Sequence, residues 1–221
     1  MNQSKVTYQG QRVALKEKVT LEELEKLIKE PIPAVSFINT FKFGFIAKNG
    51  KITSLGLPSK ELSTLPESIG NFSALQHVVL FSNQLKNLPE SFCDLQSLKF
   101  LNLVNNNLRA LPESFIRLRS LKILYLNHNQ LKFLPKLFGE LKSLKTLNLR
   151  NNKMKSLPLS FSKLSNLESL WIRNNPLDEN AIEILELLKE QGVNIDLPNT
   201  TSDKVLKKIL ESINSNGKSK H

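Results

Sequence analysis

The side chains that most often carry catalysis or metal binding are few and scattered in this sequence. The three histidines are His77, His128 and His221, and no two of them have the short spacing of a metal motif. The one cysteine, Cys93, follows Phe92 and has no histidine near it in the sequence to activate its thiol. Neither the P-loop pattern nor the HExxH zinc motif occurs. We therefore expect no catalytic residue, no metal site, no cofactor and no enzymatic activity.

The sequence is better equipped for recognition than for catalysis. Tyrosine, tryptophan and arginine supply a large share of the binding energy at protein interfaces. Tyr125 and Trp171 lie 46 residues apart, and Arg150 and Arg173 lie 23 residues apart. Both intervals are multiples of 23 residues, which is the period of a repeat in this sequence.

The repeat runs from residue 52 in blocks of 23 residues. The blocks begin at Ile52, Leu75, Leu98, Leu121, Leu144 and Leu167, with no insertion between them. They follow the pattern LxxLxLxxNxLxxLPxxFxxLxx, and we number them repeats 1 to 6. A fixed period of this kind predicts a solenoid in which each repeat covers its neighbour.

The LxL triplet of each block predicts a short parallel strand with one buried face, because its apolar residues alternate. The third, fifth and seventh residues of a block then point out of the concave sheet. These outward positions hold an apolar group, Val79, Phe81, Phe100, Val104 and Ile123, and an aromatic and arginine group, Tyr125, Arg150, Trp171 and Arg173. We expect both groups to bind a partner. The alternative is that β-favouring residues only stabilise exposed strand positions.

Two further features of the block, its asparagine and its phenylalanine, are expected to be buried inside the solenoid. The ninth residue is asparagine in repeats 2 to 6, where its amide can pair the backbone groups freed as the chain leaves the sheet. A Leu-Pro pair then fixes a bend, and the phenylalanine that follows in repeats 2 to 5 suits a short 3-10 segment on the convex side. We expect a buried asparagine ladder and a phenylalanine spine.

On these motifs the chain resembles the leucine-rich repeat family. The resemblance is to the 23-residue intracellular class, which includes Ras-binding scaffold proteins and plant intracellular Ras-group-related repeat proteins, and it covers residues 52–177. It implies an α/β repeat solenoid, a curved horseshoe with a parallel concave sheet and short helical or 3-10 convex segments. It also implies protein binding as a scaffold, often in signal transduction, with small GTPases among the partners.

Residues 1–51 predict a cap for the N-terminal end of the solenoid, which would otherwise expose its apolar interior. A helix is expected over about residues 20–30, with Thr20 and Glu23 as a capping box. A strand over about residues 43–47 is expected to form a hairpin with the first repeat around Asn49-Gly50.

Residues 178–198 predict the C-terminal cap. Asp178 is expected to cap a helix, and the alternation of Val193, Ile195 and Leu197 predicts one last strand. Residues 199–221 predict an amphipathic helix and a frayed tail. That helix is expected to dock on the solenoid end, with partner binding, membrane binding and disorder left as alternatives.

The charge balance favours an acidic partner. Lysine and arginine outnumber aspartate and glutamate by 31 to 20, a formal charge of +11 at pH 7. Lys99, Lys122 and Lys145 share the second position of their blocks, and this column fits an acidic partner or, equally, sequence drift on a solvated edge of the sheet. The alternative is electrostatic binding of nucleic acid or an anionic membrane. We do not expect either partner, because the cations are not interleaved with aromatic residues in one groove.

The sequence also predicts a compartment. We find no pattern typical of a secretory signal and no apolar run long enough to span a membrane. A single cysteine cannot form an intramolecular disulfide, whereas extracellular repeat proteins of this type usually close their ends with disulfides. We therefore expect a cytoplasmic protein, and we expect it to be a monomer.

Overall fold

The computed structural model of the chain describes residues 5–196. The amphipathic helix and tail predicted for residues 199–221 lie outside this range, and so does the end of the predicted C-terminal cap. Within the described residues, no helix has both the length and the apolar character needed to cross a bilayer.

The N-terminal part begins with a hairpin that the sequence analysis did not predict. Strand β1 (Lys5–Tyr8) pairs antiparallel with β2 (Gln11–Ala14), and the turn between them includes Gly10, whose φ is +73°. Helix α1 (Leu15–Ile28) follows directly. The helix therefore begins earlier than the expected start near residue 20.

The expected capping box at Thr20 and Glu23 is wrong. Ala14 is the N-cap residue of α1, and no side chain caps the helix there. Thr20 lies inside the helix, where its hydroxyl donates to the carbonyl oxygens of Lys16 at 3.1 Å and Ser68 at 3.0 Å. Glu23 accepts a hydrogen bond from the Ser68 hydroxyl. Both polar side chains therefore join α1 to repeat 1, which is a tertiary contact that helix-start signals do not report.

One sheet of eight strands forms the body of the described structure. Strand β3 (Gly44–Lys48) pairs antiparallel with β4, and every later strand pairs in parallel with the one before it. The remaining strands are β4 (Lys51–Gly56), β5 (His77–Val79), β6 (Phe100–Asn102), β7 (Ile123–Tyr125), β8 (Thr146–Asn148), β9 (Ser169–Trp171) and β10 (Asn194–Asp196). His77, Phe100 and Ile123 are register partners on successive strands, so the 23-residue period of the sequence becomes the register of the sheet.

The convex side consists of short 3-10 segments, as the Leu-Pro bends predicted. They span Glu67–Asn71, Glu90–Asp94, Glu113–Arg117, Phe138–Glu140 and Leu159–Lys163. The amide of Phe115 donates to the carbonyl of Pro112 at 3.0 Å, and the amide of Phe92 donates to that of Pro89 at the same distance. The predicted spine is confirmed, since Phe92, Phe115, Phe138 and Phe161 are fully buried.

The predicted asparagine ladder is also confirmed. The Asn106 side chain accepts a hydrogen bond from the amide of Leu85 at 3.1 Å and donates to the carbonyls of Leu80 at 2.9 Å and Leu103 at 3.1 Å. Leu85 and Leu80 belong to repeat 2, whereas Leu103 belongs to repeat 3 with the asparagine. Each asparagine therefore joins its own repeat to the preceding one, and the same arrangement occurs at Asn83, Asn129, Asn152 and Asn175.

The C-terminal end is formed by helix α2 (Glu179–Glu190) and strand β10. The Asp178 carboxylate accepts a hydrogen bond from the amide of Ala181 at 2.9 Å, which caps α2. Ile182, Leu185 and Leu188 form the buried face of the helix, and α2 packs against the 3-10 segment of repeat 5. β10 extends the sheet next to β9 and brings Asp196 into register with Trp171.

Candidate partner-binding surface on the concave sheet

The concave surface carries a continuous row of rings near its centre. His77 stacks on Phe100 with ring centroids 6.2 Å apart, and Phe100 meets Tyr125 edge to face at 5.7 Å. Phe100 was assigned to the apolar group and Tyr125 to the aromatic and arginine group. The structure therefore joins the two expected groups at one contact, because the parallel register brings repeats 3 and 4 side by side.

Two aliphatic residues border this row. Ile123 is the register partner of Phe100, and Val104 lies two residues beyond β6. Both are half-buried, as are Phe100, Tyr125 and Trp171. Half-buried apolar side chains on a sheet face are partly shielded from solvent but keep accessible apolar surface that a partner can bury. The middle of the concave face can therefore accept an apolar side chain.

The expectation that Val79 faces solvent is wrong. Val79 is only 1% exposed. Its register partner on β4 is Gly56, and a Cβ at residue 56 would collide with the carbonyl oxygen of Lys42 and crowd the side chain of Ile38. The chain between α1 and β3 thus passes over this corner of the sheet and covers it. Val79 therefore supports that loop and is not available to a partner.

The loop of residues 36–42 brings additional aromatic side chains to the concave face. The ring of Phe41 meets Phe81 edge to face with centroids 5.6 Å apart, and Phe41 itself is 75% exposed. Phe37 is 53% exposed, and the ammonium of Lys42 lies 5.4 Å from its ring centroid. These residues lie outside the repeat, so its pattern does not indicate them, and their one signal in the sequence is the cluster of phenylalanines before β3.

Backbone and side-chain hydrogen bonds fix the shape of this loop. The Asn39 side-chain oxygen accepts from the amides of Phe41 at 3.0 Å and Lys42 at 2.9 Å, which closes a tight turn. At the base of the loop, the Val35 amide donates to the carbonyl of Phe45, and the Phe45 amide donates to that of Pro33, both at 2.9 Å. Phe41 is therefore held on an ordered turn although most of its ring faces solvent.

The two concave arginines share one carboxylate. Asp196 on β10 accepts a hydrogen bond from Nε of Arg150, and Nε of Arg173 lies 3.8 Å from the same oxygen. The other oxygen of Asp196 accepts from the amide of Ile172 at 2.6 Å. The Asp196 side chain is 11% exposed, whereas those of Arg150 and Arg173 are 40% and 43% exposed. The arginines can still contact a partner, but part of their positive charge is balanced within the chain.

A column of lysines borders the aromatic row on the side where the strands begin. Lys99 donates to the side chain of Gln76 at 3.1 Å, and Lys145 forms an exposed ion pair with Glu168 at 2.6 Å. Lys122, between them in the column, is exposed next to Ile123. This border of the concave surface is therefore positive at its centre.

Burial shifts the pKa of one side chain on this surface and of one in the core. Partial burial lowers the pKa of His77, and the neighbouring Lys99 and Lys48 lower it further. Burial raises the pKa of the Cys93 thiol, which is inside the core. Among residues 5–196, no group of three or more histidine, cysteine, aspartate or glutamate side chains could hold a metal ion.

The fold and its concave surface define a class, the curved repeat solenoid that presents a parallel sheet to its surroundings. A family model described as "Leucine rich repeat" matches residues 73–131 and 102–153, and one described as "Leucine Rich repeats (2 copies)" matches residues 142–187. The matched stretches run from residue 73 to residue 187, which is more than half of the 221 residues. The chain belongs to the leucine-rich repeat family.

The chain is also similar to a solved structure of a leucine-rich repeat protein. Among the solved chains that match is a leucine-rich repeat protein of Leptospira interrogans, at 25% sequence identity and a TM-score of 0.35. The match covers 66% of this chain and 54% of the Leptospira chain, so the present chain spans about half the length of that protein. No curated protein matches the chain.

Proposed function

We propose that this protein is a binding module that holds a partner protein on the concave sheet. The observation that carries the proposal is the row His77, Phe100 and Tyr125, in which the ring of Phe100 contacts the other two, on the surface where the repeat places its variable residues. Leucine-rich repeat domains generally mediate protein–protein interaction, and clustered aromatic residues are frequent anchors at such interfaces.

The charges around the row support a partner with an acidic surface. Lys99 and Lys122 border the row on one side, and Arg150 and Arg173 lie beyond it towards the C-terminal end. Electrostatic complementarity of this kind raises the rate of association and selects among partners. A small GTPase is one acidic-surfaced partner to test first, because the sequence resembles the Ras-binding class of these repeats.

The proposal includes a cellular setting. We propose a monomeric scaffold that acts in the cytoplasm, in signalling, with no catalytic activity of its own. The resemblance to the intracellular class and the single buried thiol support this setting.

A pull-down with matched variants tests the binding function. Wild-type protein, Tyr125→Ala, Trp171→Ala and Arg150→Glu are immobilised and exposed to a panel of purified small GTPases and to lysate of the source organism. Phe133→Ala is the matched control, because Phe133 is 55% exposed but lies outside the strands. We expect the partner to bind wild type and the control and to be lost from the concave variants. Unchanged binding by all three concave variants would contradict the proposal.

A further inference from the structure

The loop of residues 36–42 and the concave sheet meet at a contact that buries little of the loop's aromatic surface. Phe41 touches Phe81 yet remains 75% exposed, and Phe37 remains 53% exposed. The Asn39 turn and the close approach of Lys42 to Gly56 fix the loop in this position. Exposing two phenylalanine rings to water is unfavourable in free energy, and such exposed apolar side chains are typical of an interaction surface. Because the loop is already ordered, less conformational entropy is lost when a partner binds.

The loop adds a wall to the concave sheet near its N-terminal end. It lies beside Phe81 at the seventh position of repeat 2, whereas the lysine column lies at the second position, across the width of the strands. Between these borders lie Phe100, Tyr125 and the aliphatic residues Val104 and Ile123. The six strands β4 to β9 together span about 24 Å at the usual strand spacing. An extended peptide of about seven residues has that length.

The charges around the concave surface favour a particular chemistry in the partner segment. Lys99 and Lys122 border this surface, and the loop adds Lys42, whose ammonium lies 5.4 Å from the ring centroid of Phe37. Within residues 5–196, the acids of the concave face are Glu168 and Asp196, and both are paired within the protein, Glu168 with Lys145 and Asp196 with Arg150. A partner with carboxylates would complement the lysines without meeting an unbalanced acid.

The same arrangement disfavours a nucleic acid as the occupant. Phosphates recur at every nucleotide, so a bound strand needs a continuous track of cations. Here the two acids lie on the concave surface towards its C-terminal end, and the centre of that surface is aliphatic as well as aromatic. These features fit alternating acidic and apolar side chains better than a phosphate backbone.

We infer that the loop of residues 36–42 and the concave sheet form one composite site, which binds an extended, acidic segment of a partner protein across the strands. The inference rests on the proposed function and adds the loop and the chemistry of the partner. Phe41 and Phe81 contact an apolar side chain of the segment, and Lys99 and Lys122 pair with its carboxylates.

Selection from a random peptide library tests the composite site. A library of about 16-residue random peptides displayed on phage is selected on the immobilised full chain, and one enriched peptide is synthesised with a fluorophore as the probe. We expect enriched sequences to combine aspartate or glutamate with aromatic or aliphatic residues. Enrichment of basic sequences, or no enrichment over a Tyr125→Asp surface, would overturn the inference.

Single substitutions then measure how much the loop and the sheet each contribute to probe binding. Phe41→Ala should weaken probe binding by about tenfold or more, and Phe133→Ala, the matched exposed phenylalanine, should leave it unchanged. Lys122→Glu should weaken binding by a similar factor, whereas Lys132→Glu, an exposed lysine outside the strands, should not. Because Phe41 and Lys122 are exposed, these substitutions are compatible with folding, which circular dichroism checks.

The combinations of results distinguish the two proposals. Loss with Tyr125→Ala but not with Phe41→Ala would leave the concave function intact and overturn the composite site. No loss with either variant would overturn both. A fluorescent oligothymidylate that binds more tightly than the peptide at about 150 mM salt would overturn the assignment of a protein partner.

Discussion

Asp196 and Arg150 are 46 residues apart in the sequence, yet the carboxylate of Asp196 accepts a hydrogen bond from Nε of Arg150 across the face of β9. The same carboxylate also accepts from the amide of Ile172. The Asp196 side chain therefore adds to the backbone pairing of β10 with β9 and balances charge on the concave surface.

Removal of this carboxylate should loosen the C-terminal end of the sheet. Asp196→Ala loses both the arginine contact and the bond to Ile172, and hydrogen bonds to charged groups contribute about 1.5–3 kcal/mol each. Because the Arg150 side chain is 40% exposed, its contact contributes little, and we expect the free energy of unfolding in urea to fall by about 1.5–3 kcal/mol, mainly from the bond to Ile172. Glu168→Ala is the control, because its pair with Lys145 is exposed on both sides and should contribute about 0–1 kcal/mol. Equal losses in the two variants would show that Asp196 does not hold the last strand.

Gly56→Ala tests how the loop is seated. The added methyl group would collide with the carbonyl of Lys42, so the loop must move away from the sheet. We expect the contact between Phe41 and Phe81 to weaken, Val79 to become exposed, and stability to fall by about 1–3 kcal/mol. Nuclear Overhauser contacts between the two rings measure the displacement, and Ser169→Ala on β9 is a control outside the loop. Retained ring contacts in Gly56→Ala would contradict the described position of the loop.

Asn129→Ala tests the ladder in the middle of the solenoid. The substitution leaves the amide of Leu108 and the carbonyls of Leu103 and Leu126 without the side chain that pairs them. Since an unpaired buried polar group costs about 1–3 kcal/mol, we expect an overall loss of about 2–4 kcal/mol in urea unfolding. Asn87→Ala, an exposed asparagine outside the ladder, should change stability by less than about 0.5 kcal/mol. If Asn87→Ala lowered the free energy of unfolding as much as Asn129→Ala does, the ladder hydrogen bonds would not explain the loss.

Glu17 should make the N-terminal cap sensitive to pH. Glu17 is 1% exposed, and burial raises the pKa of its carboxyl group, although the hydrogen bond from the Ile52 amide and the nearby Lys16 and Lys51 partly oppose this. The folded pKa of Glu17 therefore exceeds the unfolded value of 4.5, and the folded state favours the protonated carboxyl. The stability that the protonated Glu17 carboxyl contributes is fully present below pH 4.5 and is lost as pH rises through the folded pKa.

Urea unfolding as a function of pH measures this contribution. The Glu17→Gln variant keeps an oxygen for the Ile52 amide but carries no charge, so wild type should lose stability relative to the variant as pH rises from about 4 to about 8. Glu67→Gln, which removes an exposed carboxylate from repeat 1, is the control for the loss of one negative charge. A difference between wild type and Glu17→Gln that stays constant with pH would contradict the prediction.

The features that recur every 23 residues were predictable from the sequence. Asn106, Phe115 and Leu101 have chemically equivalent neighbours in adjacent repeats, so one pattern defines the burial and the bonding of them all. The outward direction of Phe100 and Tyr125 followed from the same alternation. Their contact followed from the parallel register that the period imposes.

The features outside the period could not be predicted in the same way. Nothing in the spacing of Phe37 and Phe41 indicates that their loop folds back over β4 and β5, and the burial of Val79 depends on that path. For Asp196 a signal existed, since the alternation of Val193, Ile195 and Leu197 in the sequence predicts that the residues between them, Asn194 and Asp196, point to the opposite face. The shared use of its carboxylate by two arginines depends on side-chain conformations that strand patterns do not encode.

The asparagine ladder also has a consequence for how such a chain can change in length. The partners of Asn129 in repeat 3, Leu103 and Leu108, have equivalents in Leu80 and Leu85 of repeat 2. Deletion of residues 98–120 would therefore bring Asn129 to the same kind of carbonyl and amide that it has now, whereas loss of any partial block would misalign every later rung. The solenoid is modular in steps of 23 residues, and each step lengthens or shortens the concave face by one strand.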